Sequence, residues 1–168
     1  SRRRRVIGVD ISRHVVDTIN RGHIHIVEPE LDMIVHNVVT EGYLKATTTP
    51  ESADAFLIAV PTPFKGNHEP DLAYVEAAAR SIAPVLKKGD LVILESTSPA
   101  GTTEEIVVPI LRQAGHAIGR DVFVAYCPER VLPGTAWYEL IHNDRVIGGF
   151  TEDCAIRAAG LYRTFVKG

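Results

Sequence analysis

Residues 91–103 read LVILESTSPAGTT, and this stretch decides the fold class. A run of apolar residues is followed at once by hydroxyl-bearing residues, a proline and a glycine, after which a helical pattern begins. Continuous apolar runs of this length, bounded by turn residues, are typical of parallel strands that are covered on both faces. The stretch therefore predicts a buried strand that ends in a polar loop before a crossover helix.

The same alternation extends over the whole chain and predicts an α/β fold with a mostly parallel sheet. Strands are expected at residues 5–9, 44–47, 55–60, 91–95, 122–126 and 145–148. Helices are expected at residues 13–20, 31–40, 72–86, from about 103 to 114, and 152–165. No repeat or linker-like segment interrupts the pattern, so residues 1–168 are expected to form a single domain.

Hydroxyl-bearing residues stand where several of these helices begin. Ser12, Thr151 and either Thr102 or Thr103 are expected to act as N-caps, because a hydroxyl oxygen can accept a hydrogen bond from the first turn. Pro84 is expected to kink or end the third helix, since proline has no backbone N–H to donate.

Composition excludes several classes of protein. With 45% hydrophobic residues, 23% charged residues and a net charge of -3, the chain is typical of a globular protein and carries no field that would attract nucleic acid or an anionic membrane. Cys127 and Cys154 form no disulfide framework, so a reducing cytoplasm is expected. No metal site is expected, since His23 and His25 have no evident third ligand. Because residue 1 is Ser, we expect the chain to be part of a longer product.

Asp10 ends the first strand, in the sequence VIGVD of residues 6–10. An acidic residue that ends the second strand of a dinucleotide-binding fold can accept hydrogen bonds from the adenosine ribose and repels the extra phosphate of NADP, which would select NAD. A turn or helix-capping aspartate is the alternative. Arg13 could flank the adenine or a phosphate, or could be a solvated helix residue.

The glycine-rich phosphate loop is missing from its expected place. In the G-x-G-x-x-G fingerprint the ribose acid follows the glycines by roughly 20 residues, and Asp10 is preceded by only nine residues. Either Asp10 does not bind ribose, or the first strand, the glycine loop and the first helix are absent from this chain. In a sheet of order 3-2-1-4-5-6 the absent strand is central. We therefore expect strands 2 and 3 to separate from strands 4 to 6, and the chain alone not to be an autonomous NAD-binding fold.

Polar loops follow the next buried strands, where ligands bind in open α/β sheets. The first loop, AVPTP at residues 59–63, offers the hydroxyl and amide of Thr62, although a rigid turn would explain its prolines equally well. The second, at residues 95–103, crowds the hydroxyls of Ser96 and Thr97 at the strand end. Thr103 lies near a helix N-terminus that suits phosphate or carboxamide contacts.

The third loop belongs to the sequence AYCPERVLPG at residues 125–134. Glu129 could order a water molecule or act as a base, and Arg130 could bind a phosphate or a carboxylate. The alternative is a Glu–Arg pair on the surface. Cys127 is expected to pack in the strand and not to act as a nucleophile.

Taken in order, VIGVDI, IHIVEPELD, AVPTPFKG, ESTSPAGTT, AYCPERVLPG and NDRVIGG closely resemble the UDP-glucose/GDP-mannose dehydrogenase family, and most closely its branch that oxidises UDP-N-acetyl-D-mannosamine. The resemblance implies a Rossmann-like domain and oxidation of a sugar C6 alcohol to a carboxylate with two NAD, through an aldehyde and a cysteine thioester. It also implies a UDP-sugar substrate, a role in polysaccharide biosynthesis and a homo-oligomer for the full-length protein.

The resemblance also assigns roles to individual residues. Thr97 and Glu129 are implied to be catalytic, with Glu129 ordering water for thioester hydrolysis, and Arg130 and Val131 are implied to contact the nucleotide sugar. The implied cofactor-binding residues are Asp10, Arg13, Val60, Pro61, Thr62, Ser96 and Thr103.

The chain departs from the family pattern in two respects. Pro133 stands where UDP-glucose-oxidising members carry a second glutamate, which favours an N-acetyl sugar. The family's catalytic cysteine, in a Gly-Gly-His-Cys-type motif, and its catalytic lysine have no counterpart here. The resemblance therefore implies a partial NAD-binding domain that is active only within a longer chain. A non-catalytic, truncated nucleotide-binding module is the alternative, as are UDP-glucose or another UDP-N-acetyl sugar as substrate.

Overall fold

The computed structural model describes residues 4–26, 28, 31–132 and 134–168. In chain order the strands are β1 (Val6–Val9), β2 (Leu44–Thr47), β3 (Ala55–Ile58), β4 (Leu91–Leu94), β5 (Phe123–Tyr126) and β6 (Gly148–Gly149). The α-helices are α1 (Arg13–Asn20), α2 (Leu31–Thr40), α3 (Ala73–Ile82), α4 (Val108–Gln113), α5 (Ala136–His142) and α6 (Glu152–Tyr162). Within these residues, none of the helices has both the length and the apolar character that a membrane span requires.

The chain divides into two compact units. Unit 1 takes its residues from Ser1–Glu51, Val131–Asn143 and Val166–Gly168, and unit 2 from Ser52–Arg130 and Asp144–Phe165. Unit 1 contains a two-stranded parallel sheet in which Val6 of β1 pairs with Leu44 of β2. The side chain of Asn20, at the end of α1, bonds both the N–H and the carbonyl of Ala46 at 2.7 and 2.9 Å, and so fastens α1 to β2.

Unit 2 contains a four-stranded sheet of order β3-β4-β5-β6, in which the first three strands are parallel and β6 is antiparallel to β5. Every residue of β4, LVIL, is buried, as its continuous apolar sequence predicts. The core that covers this sheet is built from the following buried residues: Ile58, Val75, Ala79, Ile82, Ala83, Leu86, Val92, Leu94, Val107, Val108, Ile110, Leu111, Val122 and Val124. This packing holds β3, β4 and β5 in place, so that the loops at their carboxyl ends lie side by side.

The expected separation of the strands into two groups is confirmed. Among the residues that the structure describes, no strand pairing joins β1 or β2 to the four-stranded sheet. In the Rossmann-like order 3-2-1-4-5-6, β1 takes the place of strand 2 and β3 the place of strand 4, so the break falls where strand 1 would lie. The strands next to the break carry exposed apolar residues, such as Val9 of β1 and Leu57 of β3.

The sixth strand was predicted at residues 145–148, and this is wrong. The observed β6 lies at Gly148–Gly149 and runs antiparallel. A Cβ atom placed on Gly149 would lie 2.5 Å from the carbonyl oxygen of Thr151, so only glycine lets the strand run this close to the start of α6. Val146, a β-branched residue within the predicted strand at 145–148, is 59% exposed.

Two helix starts follow the expected capping. Ser12 Oγ accepts a hydrogen bond from Val15 N at 3.4 Å, and Thr151 Oγ1 accepts one from Cys154 N at 3.3 Å. Helix α3 ends at Ile82 and passes into a 3-10 turn that contains Pro84, which confirms the expected end of the helix at this proline.

The fourth helix begins differently from the prediction of a threonine cap. Thr102 Oγ1 donates to the carbonyl of Pro99 at 2.8 Å, and neither Thr102 nor Thr103 caps the helix. The first turn, Thr103–Val107, is a π-helix that leads into α4. Pro109 lies just after this turn and has no N–H to donate to the carbonyl four residues earlier, which accounts for the irregular start.

Two further helical boundaries differ from the sequence interpretation. Helix α5 was not predicted; it has only seven residues, and none of them is buried. Helix α6 ends at Tyr162 and not at Phe165, where the chain has already left the helix.

Candidate functional site

A pocket of about 300 Å³ lies at the carboxyl ends of β3 and β4 in unit 2. Its walls are Ala59, Val60, Pro61, Thr62, Glu95, Ser96, Thr97 and Glu129. The pocket therefore joins the three loops that the sequence singles out, each of which follows a parallel strand. Ligands bind at this edge of open α/β sheets.

The hydroxyl of Ser96 is used to build the pocket. Ser96 Oγ accepts from Val60 N at 2.9 Å and donates to Val60 O at 2.7 Å, while Ser96 N donates to Ile58 O at 3.1 Å. Ser96 is almost fully buried. It lines the predicted cofactor site, but its side chain holds the loop after β3 in place.

Thr62 and Thr97 face the pocket from two different loops. The Thr62 hydroxyl donates a hydrogen bond to the backbone carbonyl of Thr97, which ties the two loops together. The Thr97 hydroxyl has no hydrogen-bond partner within the described part of the chain, and the residue is exposed. Thr97 can therefore offer both a donor and an acceptor to a ligand.

Glu129 reaches the pocket from the loop after β5. Its backbone N–H donates to Glu95 O at 3.0 Å, which fixes the loop against the end of β4. Its carboxylate oxygen Oε1 accepts from Arg130 N at 2.7 Å and from Arg145 Nη1 at 3.1 Å. The side chain of Arg145 is only 5% exposed, whereas that of Glu129 is 34% exposed. Glu129 thus combines a buried cationic partner with access to the pocket.

A second carboxyl group, Glu95, lies in the same wall. The hydroxyl of the buried residue Tyr162 donates to Glu95 Oε1 at 2.5 Å. Burial raises the pKa of Glu95 above its usual range, and the nearby charge of Glu129 adds to this, whereas the hydrogen bond from Tyr162 and the charge of Arg145 act in the opposite direction. Burial and the hydrogen bond to Glu95 also raise the pKa of Tyr162.

Cys127 packs directly after β5 and is fully buried, as the sequence predicts. Its N–H donates to Leu94 O at 3.0 Å. Burial raises the pKa of its thiol, which disfavours the reactive thiolate form.

Some residues that the sequence assigns to the site lie outside the pocket wall. Thr103 is partly buried in the π-helical turn, and Arg130 is exposed beside Glu129. Val131 belongs to unit 1, where it is partly buried. Pro133, on which the choice between sugar branches rests, lies outside the described residues.

Asp10 ends β1 in unit 1 and is held by the turn into α1. Its Oδ1 accepts from Ser12 N at 2.8 Å, which is the turn role that the sequence left open. Oδ2 accepts no hydrogen bond from the described residues and can accept one from a ribose hydroxyl. The Arg13 side chain is 77% exposed, and its Nε lies 3.9 Å from Asp17 Oδ1 one helical turn later. This is the environment expected of a solvated helix residue.

Sequence reasoning missed Glu95, Tyr162 and Arg145 as members of the site. One signal was present: Arg145 fell within a predicted strand, and a charged side chain that a sheet buries requires a partner. The partner itself could not be read from the sequence. Among the residues described, no three His, Cys, Asp or Glu side chains come together as a possible metal site.

Comparison with known proteins identifies relatives that match along the whole chain. A UDP-N-acetyl-D-mannosamine dehydrogenase of Yersinia pestis is 60% identical over 177 aligned residues, which cover 100% of this chain and 42% of that protein. An NDP-N-acetyl-D-galactosaminuronic acid dehydrogenase of Ralstonia nicotianae is 61% identical, with 100% and 41% covered.

A solved structure of the UDP-N-acetyl-mannosamine dehydrogenase of Staphylococcus aureus superimposes with a TM-score of 0.95 at 44% identity, covering 98% of this chain and 40% of that one. This chain therefore spans less than half the length of the relatives that it matches. Residues 1–166 match the sequence profile described as the UDP-glucose/GDP-mannose dehydrogenase family, NAD binding domain. The chain therefore belongs to the UDP-glucose/GDP-mannose dehydrogenase family, whose NAD-binding domain it carries.

Proposed function

We propose that the gene product containing this chain oxidises the C6 alcohol of UDP-N-acetyl-mannosamine to the uronate, with two NAD. The observation that carries the proposal is the pocket in which Thr97 and Glu129 converge from separate strand-end loops. An exposed hydroxyl and a carboxylate at one sheet edge suit the handling of an alcohol and of an attacking water. The names of the relatives support the sugar.

The residues present fit NAD. In unit 1, Asp10 Oδ2 is available to a ribose hydroxyl, and the Asp10 carboxylate would repel the additional phosphate of NADP. In unit 2, the Val60–Thr62 loop and Thr97 offer apolar and hydroxyl contacts for the nicotinamide end. When bound, NAD supplies the hydride acceptor for each oxidation. Arg13 and Thr103 are proposed as further cofactor residues, as the family resemblance implies.

Glu129 is proposed to act in the hydrolytic step. Its Oε1 is held by Arg130 N and Arg145 Nη1, while Oε2 receives no hydrogen bond from the described residues and is free to take a proton from water. Arg130 and Val131 are proposed to contact the nucleotide sugar, as the family resemblance implies.

The sugar is the finer part of the proposal. Pro133, in place of the second glutamate of UDP-glucose-oxidising members, favours an N-acetyl sugar. A relative named for galactosaminuronic acid is as similar as those named for mannosamine, so a UDP-N-acetyl-hexosamine of different stereochemistry is the natural competitor.

The chain on its own is proposed to be a partial NAD-binding domain without dehydrogenase activity. It contains no G-x-G-x-x-G sequence and no Gly-Gly-His-Cys sequence. We further propose that the complete protein is a cytoplasmic homo-oligomer that serves polysaccharide biosynthesis.

Turnover of the purified gene product tests the function. UDP-N-acetyl-mannosamine, UDP-N-acetyl-galactosamine, UDP-N-acetyl-glucosamine and UDP-glucose are each offered with NAD, and NADH is counted per sugar consumed. Two NADH per UDP-N-acetyl-mannosamine, and a much lower kcat/KM for the other sugars, are expected. Preference for UDP-glucose, or no NADH from any of the sugars, would refute the proposal.

A matched pair of variants places the chemistry at the pocket. Glu129→Gln keeps the shape of the side chain but removes the base, and should lower kcat by about 100-fold or more. Glu104→Gln, in the π-helical turn and outside the pocket wall, should leave kcat unchanged.

A further inference from the structure

The Glu129 carboxylate is held on one side only. Both of its hydrogen-bond donors in the described part of the chain, Arg130 N at 2.7 Å and Arg145 Nη1 at 3.1 Å, bind the same oxygen, Oε1. A carboxylate fixed through one oxygen presents the other in a defined direction. A group that takes a proton from a bound water needs such a fixed orientation, because misplacement by about 1 Å can cost roughly 100-fold in rate.

Arg145 has an almost fully buried side chain, which lies against an aromatic ring. Its guanidinium carbon lies 5.6 Å from the centre of the Tyr162 ring, and its side chain is 5% exposed. Tyr162 belongs to α6, and its hydroxyl donates to Glu95 Oε1 at 2.5 Å at the end of β4. The guanidinium thus lies against a ring of α6 that is tied by a hydrogen bond to the end of β4.

The charges of Arg145 and Glu129 also favour this arrangement. A guanidinium buried to this extent requires an anionic partner, and Glu129 supplies one at ion-pair distance. The loop before β6 brings Arg145 to Glu129, although the two residues are 16 positions apart. Hydrophobic packing alone would not place a charged side chain here, since burial of an arginine without its partner is strongly unfavourable.

We propose that Arg145 is a positioning residue, which holds the Glu129 carboxylate so that Oε2 faces the pocket, and that the Tyr162–Glu95 pair holds Arg145. The proposal deepens the proposed function and rests on it. As the water oxygen attacks the thioester carbonyl carbon, Glu129 Oε2 takes the water proton. The carbon–sulfur bond then breaks, and its electron pair leaves with the cysteine sulfur as thiolate. Arg145 touches neither water nor substrate in this step.

The test uses the whole gene product with three variants. Arg145→Gln removes the ion pair, and Arg145→Lys keeps the charge but not the planar geometry of the guanidinium. Arg157→Gln is the matched control, because the Arg157 guanidinium carbon lies 3.6 Å from the centre of the Phe123 ring and forms no ion pair with a carboxylate of the described residues. Rapid mixing measures the first burst of NADH, and intact-protein mass spectrometry measures the covalent sugar adduct.

Arg145→Gln should keep the first NADH burst, lower steady-state kcat by about 100-fold and accumulate the covalent adduct. Arg145→Lys should recover part of kcat, and Arg157→Gln should match wild type. Adding Arg145→Gln to Glu129→Gln should lower kcat no further, since the two residues act through one group. An unchanged kcat for Arg145→Gln, or full additivity with Glu129→Gln, would overturn the proposal.

A structural readout separates this proposal from the proposed function. If the wild-type protein reduces no NAD with any UDP-sugar, the proposed function fails by itself. The crystal structure of the Arg145→Lys variant then decides the positioning: a Glu129 side chain turned away from its wild-type orientation supports it, and an unmoved Glu129 carboxylate refutes it. Because lysine retains the buried charge, this variant is the one expected to fold if Arg145→Gln does not.

Discussion

The Tyr162 hydroxyl donates a 2.5 Å hydrogen bond to Oε1 of Glu95, and so joins α6 to the end of β4 through a carboxyl group in the pocket wall. The two residues are 67 positions apart in the chain. Burial raises the pKa of Glu95 despite this hydrogen bond, so the folded chain holds the Glu95 proton more tightly than the unfolded chain does.

This pKa shift predicts a pH-dependent loss of stability. The stabilisation from Glu95 is fully present below its unfolded pKa, close to 4.5, and is lost as pH rises through the raised folded pKa. Glu95→Gln removes the titration, so the stability of wild type relative to this variant should fall as pH increases above 4.5. Urea unfolding at a series of pH values measures the difference. Glu104→Gln serves as the control, and parallel curves for wild type and Glu95→Gln would contradict the prediction.

The Ser96 hydroxyl should be needed for stability as well as for the shape of the pocket. Ser96→Ala leaves the N–H and carbonyl of Val60 without their partner, and is expected to lower the free energy of unfolding by about 1–3 kcal/mol. Ser81→Ala, on exposed Ser81 of α3, should change it by less than about 0.5 kcal/mol. Chemical denaturation of the two variants compares them directly, and equal effects would show that the Ser96 bonds contribute little.

The adjacent glycines of β6 should respond very differently to substitution. A Cβ on Gly149 would clash with Ala155 N and lie 2.5 Å from Thr151 O, whereas one on Gly148 would meet no atom within 4 Å. Gly149→Ala is therefore expected to cost about 1–3 kcal/mol or more, because backbone must move, and Gly148→Ala much less. Thermal unfolding of both proteins gives the comparison. Similar melting temperatures for the two variants would contradict the prediction and would show that the backbone at the start of α6 can shift to accommodate the added methyl group.

Asp10 should determine cofactor choice in the whole gene product. Asp10→Asn weakens a charged hydrogen bond to ribose, and we expect the Kd for NAD to rise about tenfold or more, with a smaller change for NADP. Glu41→Gln, at an exposed position directly after α2, should leave both affinities unchanged. Isothermal titration with the two cofactors measures them, and an equal loss of NAD and NADP affinity would rule out a role in discrimination.

The sequence predicted the parts of the site that depend on neighbours in the chain. The loops of Thr62, Thr97 and Glu129 were identified because each follows an apolar run typical of a buried strand, and parallel strands end at one sheet edge. It failed at β6, where a steric limit set by α6 selects Gly149 over the more strand-like residues before it. No local pattern in the sequence encodes that limit.

The sequence by itself determined the α/β class, the strand-end loops and the caps at Ser12 and Thr151, because each rests on hydrophobic periodicity or on hydrogen bonds within a few residues. Only the tertiary structure decided that Ser96 serves the backbone of Val60 and that Arg145 pairs with Glu129. Such contacts join residues that are far apart in sequence. Their geometry follows from how strands and helices pack around the core. That packing brings together side chains whose contact no local sequence pattern predicts.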